Sequence, residues 1–312
     1  RVRQWLDRIP RCAERTVEAA RNGVVDPGNA SELGRQLYSE LVHADVVYSF
    51  MGLRDGRYKA YYRDVDYARE EAEPQRPDYV VQSTFWSFSN GSSASDYTLP
   101  LSRAPKPTVG PNSILEFQID EEGLPLLDQD FSLLVEGWQA RKRPWFNVTR
   151  HAQKPTWIPP YIWVPNLILG IDACVPYYDN SNGPKFDPAM DSPSALPSDS
   201  TESLAMVACC DTALDRLSAK LGLQNLGVHG RAFIVEVEGE SEGLLLAAAG
   251  EGKPLPVAVG GSHGGLEDGH DTSSVDLKRL KAEESGDEIV AAVARFVRTS
   301  MGGWRAASRG QH

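Results

Sequence analysis

Two hairpin-like units with helical segments before, between and after them constrain this chain more than any other feature. The first is Ala44 to Leu53, then Arg54-Asp55-Gly56, then Arg57 to Arg63. Asp-Gly between two β-rich runs is a strong short-range hairpin signal, because its central positions need φ values that few other residues tolerate. The second runs from Gly230 to Gly239 and resumes at Leu244 to Ala247. The order hairpin, helix, strands, helix, hairpin predicts an α+β fold with an antiparallel sheet flanked by helices.

Periodicity fills in the elements. Trp5, Ile9 and Cys12, then Leu33, Leu37 and Leu41 after the Asp26-Pro27-Gly28-Asn29 break, recur at helical spacing. Residues 1 to about 45 are therefore expected to be a helical lead-in, as two helices or one interrupted helix. Leu127 to Arg143 has helical spacing at Phe131, Leu134 and Trp138 and is expected to deliver Arg143 at its end. The Pro- and Ser-containing stretch to about residue 112 reads as an elaborated surface loop, with Tyr79–Val81 and Phe85–Phe88 as short strands at most. Leu167 to Tyr177 and Leu204 to Cys210 read as strands bordering a long loop at 179–203. A helix is expected to start near Asp211, with Thr212, Leu214, Leu217 and Leu221 on one face and Gly222 at its end. Val275 to Val297 is also expected to be helical, burying Leu277, Leu280, Ile289, Val293 and Phe296.

Composition limits what such a fold can serve. Its 312 residues, 41% of them apolar, suffice for a sizeable core. A formal net charge of -11, from 32 Lys+Arg against 43 Asp+Glu, disfavours nucleic acid and anionic membrane surfaces as partners. No run approaches the roughly 18 to 20 apolar residues of a membrane span. The start at Arg1, without an initiator Met or a leader-like segment, is read as that of a fragment.

Cys12, Cys174, Cys209 and Cys210 form no CxxC pair, which removes the usual zinc-ribbon and thioredoxin-like patterns. If the segments around Cys174 and Cys209/Cys210 are adjacent strands, a disulfide to one or the other can form in an oxidising compartment. Sequons at Asn29, Asn90 and Asn147 fit a secreted setting weakly.

The residues that carry chemistry are Arg143-Pro144-Trp145-Phe146, then Trp157-Ile158-Pro159-Pro160-Tyr161, then Asp211. A guanidinium fork grips a carboxylate with two parallel hydrogen bonds, a carboxylate accepts from an ammonium group, and aromatic walls exclude water. The expected ligand-binding set is Trp138, Arg143, Trp145, Phe146, Tyr161 and Asp211, with no catalytic residue, metal or cofactor. The plainer alternative has Arg143 bracing the helix end against Asp211 and the tryptophans serving only as core. Gly260-Gly261-Ser262-His263-Gly264 fits a nucleophile-elbow pattern, but a flexible Gly265-to-His270 stretch follows it where a helix is required. His263, Asp268, His270 and Asp271 cluster ligand types within a glycine-rich stretch ill suited to a preformed metal cage.

In succession these motifs resemble the double Cache family, extracellular PAS-like sensing regions of chemoreceptors, sensor kinases and nucleotide cyclases. The matches are a strand, Asp-Gly turn and strand at Val46 to Arg63, R-x-W-[YF] at Arg143, Trp145 and Phe146, and Pro160-Tyr161. Pro176, Gly183 and Asp211 follow, and then Gly230-Arg231-Ala232-Phe233-Ile234-Val235 as a G-x-A-F-I-V start. The resemblance spans roughly residues 30 to 300. It implies a helical lead-in at 1–45, a membrane-distal module at 46–211, and a connecting helix with a truncated proximal module at 212–312.

The resemblance also implies an extracellular or periplasmic sensor for an amino acid, amine or small carboxylate, tethered to the membrane by segments outside this chain. Pairing of two copies through the N-terminal helix is a further implication. In the family's amino-acid pattern Y-x4-R-x-W-[YF]-x2-A, Trp138 replaces the Tyr and Thr149 the Ala, while Phe146 is the hydroxyl-free option. The competing implication is a non-catalytic interaction module of the calcium-channel auxiliary-subunit type with a vestigial pocket.

Overall fold

The computed structural model describes residues 2–27, 29–54, 56–63, 79–85, 113–124, 126, 132–135, 138–163, 168–179, 203–223, 230–237, 239–249, 257–258, 277–278 and 280–309. The helical lead-in comprises α1 (Val2–Leu6), α2 (Arg8–Arg21) and α3 (Ala30–Ala44). The expected stripe is the buried one: Trp5, Ile9, Cys12, Leu33, Leu37 and Leu41 are all in the core. Asp45 ends α3 in the left-handed conformation, φ 57°. Its carboxylate gathers Arg216, Lys220 (3.2 Å), Arg63 (3.4 Å) and the Trp5 indole N–H (3.3 Å), fastening the lead-in to later parts of the chain.

The hairpin forms as expected from β1 (Tyr48–Leu53) and β2 (Tyr58–Arg63), followed by β3 (Tyr79–Phe85), β4 (Ser113–Gln118) and β5 (Ser132–Val135). Then come a short 3-10 turn at Ala140–Lys142, α4 (Pro144–Ala152), β6 (Thr156–Trp157), β7 (Tyr161–Trp163), β8 (Ile168–Asp179) and β9 (Ser203–Ala213). Among the described residues these make a sheet of nine strands in the order β5-β4-β3-β2-β1-β9-β8-β6, with β7 also on β8. Every named pairing is antiparallel.

Three expectations change here. Tyr79–Phe85 is a strand between β2 and β4 and not part of a surface loop. The helix expected over Leu127 to Arg143 is replaced, where described, by β5 and the 3-10 turn. Ser132-Leu133-Leu134-Val135 pairs with the edge of β4, and a run of four apolar and small residues satisfies either period when read alone. Pro144 sits at the first turn of α4, where its missing N–H costs nothing, and that fixes the helix start one residue after Arg143. The third change is that β9 continues through Thr212 to Ala213, so α5 (Leu214–Gly222) starts later than expected although it ends where Gly222 predicts.

Strand alternation separates two cores. Ser49, Met51, Lys59, Tyr61, Ala173, Ala208 and Cys210 face α2, α3 and α5. Tyr48, Phe50, Tyr58, Tyr62, Cys174 and Cys209 face α4 and the 3-10 turn. Both disulfides follow from that alternation. Cys174 and Cys209 are direct cross-strand partners on one face and are bonded to each other, with Cα atoms 4.1 Å apart. Cys210 points to the other face and is bonded to Cys12 of α2.

Beyond α5, β10 (Phe233–Val235) and β11 (Leu245–Ala248) form the second hairpin, and β12 (Val257–Ala258) pairs with β13 (Leu277–Lys278). The hairpin is shared between cores: Ala247 and Ile234 join the main one, while Leu245, Phe233 and Val235 pack on α6 (Glu288–Ser300) and on Trp304 of α7 (Trp304–Arg309). The expected helix over Val275 to Val297 is thus only its second half, opened by Asp287, whose carboxylate accepts from the N–H groups of Ile289 and Val290. Its buried stripe is Val290, Ala291, Ala294 and Val297, whereas Ile289, Val293 and Phe296 are exposed. Apolar residues occupy two faces of α6, and periodicity alone chose the wrong one. Among the described residues no helix is long and apolar enough to cross a membrane.

Candidate functional site

The sheet face covered by α4 holds an unusual set of polar groups. Asp172 of β8 and Asp211 of β9 are direct cross-strand partners, and their solvent exposures are 0% and 1%. Burying a carboxylate is costly unless it is hydrogen-bonded or paired with a cation. Asp211 accepts the backbone N–H of Tyr48 at 2.7 Å. Asp172 accepts the Tyr161 hydroxyl at 2.5 Å, as β7 lies antiparallel along β8.

Electrostatics ties these groups into one site. Burial, and next the charge of Asp172, push the Asp211 carboxyl well above its ordinary range, against the pull of the Tyr48 N–H and of Arg216. The Tyr58 hydroxyl is pushed up by burial and then by the charges of Asp211 and Asp172, and the Arg143 guanidinium opposes the shift. Tyr161 is likewise raised well above the usual phenol range, by burial first and then by Asp172. Both phenols are therefore neutral donors at physiological pH.

The aromatic wall is continuous. Tyr58 contacts Trp138 at 5.5 Å and Trp145 at 6.2 Å between ring centres, and Phe50 meets Trp145 edge-on at 5.1 Å. Arg143 caps α4 in an extended conformation, and its guanidinium carbon lies 3.6 Å from the Trp138 ring centre. The Trp138 indole N–H is buried, with no hydrogen-bond partner.

All six residues expected to line a pocket lie around this sheet face: Trp138, Arg143, Trp145, Phe146, Tyr161 and Asp211. Phe146 packs edge-on to Trp145 at 5.7 Å and is 2% exposed, as is Trp145, so both serve the core whatever else they do. Sequence reasoning missed Asp172, Tyr58 and Tyr48. The signal for Asp172 was present as a lone carboxylate inside the apolar run Leu169-Gly170-Ile171-Asp172-Ala173-Cys174. Ser262 and the His263, Asp268, His270 and Asp271 group lie outside the described residues.

No family model matches the chain, and no curated protein matches it in sequence. Several solved structures resemble it. The ligand-binding domain of the Pseudomonas aeruginosa amino-acid chemoreceptor PctC, in complex with GABA, is 11% identical at a TM-score of 0.41, over 79% of this chain and 68% of that one. The corresponding domain of P. aeruginosa PctB with L-Gln gives 15% identity and a TM-score of 0.40, over 78% and 61%. That of the Pseudomonas fluorescens chemoreceptor CtaA with L-isoleucine gives 12% and 0.39, over 78% and 60%. The chain thus spans about three-fifths to two-thirds of the length of these domains.

Proposed function

We infer that this chain is a non-catalytic sensing region that binds a small organic molecule through an ammonium group. The observation that carries the reading is the buried Asp172–Asp211 pair within an aromatic wall that also holds Arg143. Two buried carboxylates favour a cation, aromatic faces attract one as well, and a guanidinium at the rim suits a carboxylate or other anionic group. An amino acid or an amine fits that polarity, and a simple carboxylate engages only the Arg143 end. The succession of double Cache-like motifs supports the same reading.

The reading extends to placement and organisation. All four cysteines are in disulfides, which favours an oxidising compartment and hence the outer or periplasmic side of a membrane. Segments outside this chain would tether it, and the lead-in at 1–45, the module at 46–211 and the remainder at 212–312 are its proposed parts. Pairing of two copies through the N-terminal helices belongs to the same proposal.

The test is a thermal-shift screen of amino acids, amines and small carboxylates, since a ligand that binds the folded state raises its apparent stability by RT ln(1 + [L]/Kd). Hits should bear an ammonium group, and Asp211→Asn should weaken them while leaving simple carboxylates less affected. A flat screen would overturn the reading in favour of an interaction module with a vestigial pocket.

A further inference from the structure

Helix α6 carries apolar residues on two faces, and the bulkier set is the one in solvent. Val290 and Ala294 pack with Leu245 and Ala282, and Ala291 and Val297 are buried as well. Ile289, Val293 and Phe296 are 42%, 40% and 58% exposed. Burial stabilises in proportion to the apolar area removed from water, so packing within one chain would favour turning the Ile and the Phe inward. At about 100° per residue these three side chains fall within about 60° of one another, roughly a third of a turn from the buried stripe. Single exposed apolar residues are ordinary, whereas a contiguous stripe on one helix face marks a surface that something covers.

The charges beside the stripe say what covers it. Glu288 and Arg295, two turns apart on one flank of α6 with Ala292 between them, are all exposed. Among the described residues no ion pair engages Glu288 or Arg295, whereas Arg298 is held by Glu283 at 2.8 Å. A second copy laid antiparallel about a two-fold axis, Ile289 of one against Phe296 of the other, brings Glu288 of each chain beside Arg295 of the other. At a rise of 1.5 Å per residue the two groups then differ by only about 3 Å along the axis, within reach of an arginine side chain. A two-fold contact must be self-complementary, and this face is so in both respects: apolar meets apolar, and each carboxylate meets a guanidinium. Parallel pairing would instead set Glu288 against Glu288 and Arg295 against Arg295.

We propose that two copies of this chain pair antiparallel through the Ile289, Val293 and Phe296 face of α6, with Glu288 and Arg295 joining the copies at both ends of the contact. The contact goes beyond the sensing reading, does not depend on it, and is separate from pairing through the N-terminal helices.

The experiment is sedimentation equilibrium of the whole chain, in a series reaching about 0.1 mM because a face this small supports a weak contact. The wild type should show a monomer–dimer equilibrium. Phe296→Glu and Val293→Glu, both at exposed positions, should weaken it about tenfold or more, while circular dichroism and the melting temperature of dilute protein stay near wild type. Glu288→Lys alone and Arg295→Glu alone should each weaken it as well, since each sets like charges opposite one another. Mixed in equal amounts, those two variants should pair with each other, because every charged contact between them is again of opposite sign, and native mass spectrometry reads the mixed dimer. Should a glutamate variant at 293 or 296 fail to fold, recovery in that mixture decides alone.

A wild type that stays monomeric throughout the series overturns the proposal and leaves the face to a different partner. A dimer undiminished in Phe296→Glu overturns it too and moves the pairing elsewhere, the N-terminal helices included. Weakening by Phe296→Glu without recovery in the mixture overturns the antiparallel arrangement. None of these outcomes bears on the ligand screen.

Discussion

The Arg143 guanidinium carbon lies over the Trp138 ring, 3.6 Å from its centre. The aromatic ring holds the guanidinium by a cation–π contact, and the guanidinium's planar fork of N–H donors suits bidentate recognition of a carboxylate. Arg143→Ala should therefore cost carboxylate-bearing ligands about 2 to 5 kcal/mol, the range for truncating one partner of a desolvated charge pair. Arg143→Lys should rescue little of it, because an ammonium neither stacks in that way nor offers a fork. Calorimetry giving the wild-type affinity for Arg143→Ala would remove Arg143 from the site.

The Asp211 shift predicts the sign of a pH effect. Its pKa in the folded protein is raised above the ordinary value of 3.8, so the folded state holds the proton more tightly than the unfolded one. That contribution is fully present below about pH 4 and is lost as pH rises towards the folded pKa. Asp211→Asn lacks it. Its melting temperature relative to wild type should therefore improve from about pH 4 to about pH 8, and a difference that is flat or of opposite slope would contradict the burial argument.

Gly52 couples the hairpin to the site. A Cβ there would lie 2.6 Å from Trp145 Cη2, 3.1 Å from the Ala140 Cβ and 3.2 Å from Phe146 Cδ2, all of them buried groups. Gly52→Ala should destabilise the fold by about 1 to 3 kcal/mol, as overpacking does. Because Trp145 belongs to α4, which Arg143 caps, ligand affinity should fall as well. Urea denaturation and the ligand screen on one variant would check both, and unchanged stability would mean that α4 is not closely seated on β1.

The two disulfides should differ in their contribution to stability. Cys12–Cys210 closes 198 residues of chain and Cys174–Cys209 closes 35. Removing either pair by double alanine substitution should cost about 2 to 5 kcal/mol, with the longer closure costing more through chain entropy. Denaturation midpoints of the two variants test the order. The reverse ranking would mean that native-state packing, and not loop closure, sets these contributions.

Much of the architecture was legible because it depends on local period and turn chemistry. The stripe Ile9, Cys12 and Leu33, Leu37, Leu41 is buried as spacing predicts, and the hairpin at β1 and β2 forms where Asp55-Gly56 signals it. The failures fall where a segment satisfies two periods at once. Ser132–Val135 pairs with β4 because that edge is there to be paired. On α6, Val290, Ala294 and Val297 won burial over Ile289, Val293 and Phe296 because β11 and the 3-10 turn at Ala282–Glu284 pack on that side.

By itself the sequence determined an antiparallel α+β plan, the polar and aromatic residue types available to a site, and the proximity of the strands bearing Cys174 and Cys209-Cys210. Only the tertiary structure decided the register. A β-strand alternates faces at every residue, so a slip of one position would turn Asp211 away from Asp172 and exchange the roles of Cys209 and Cys210. The pairing of Asp172 with Asp211, of Cys174 with Cys209 and of Cys210 with Cys12 is thus a single fact about β8 against β9. That alignment is fixed by long-range hydrogen bonds and by burial on both faces of the sheet, which no local pattern encodes.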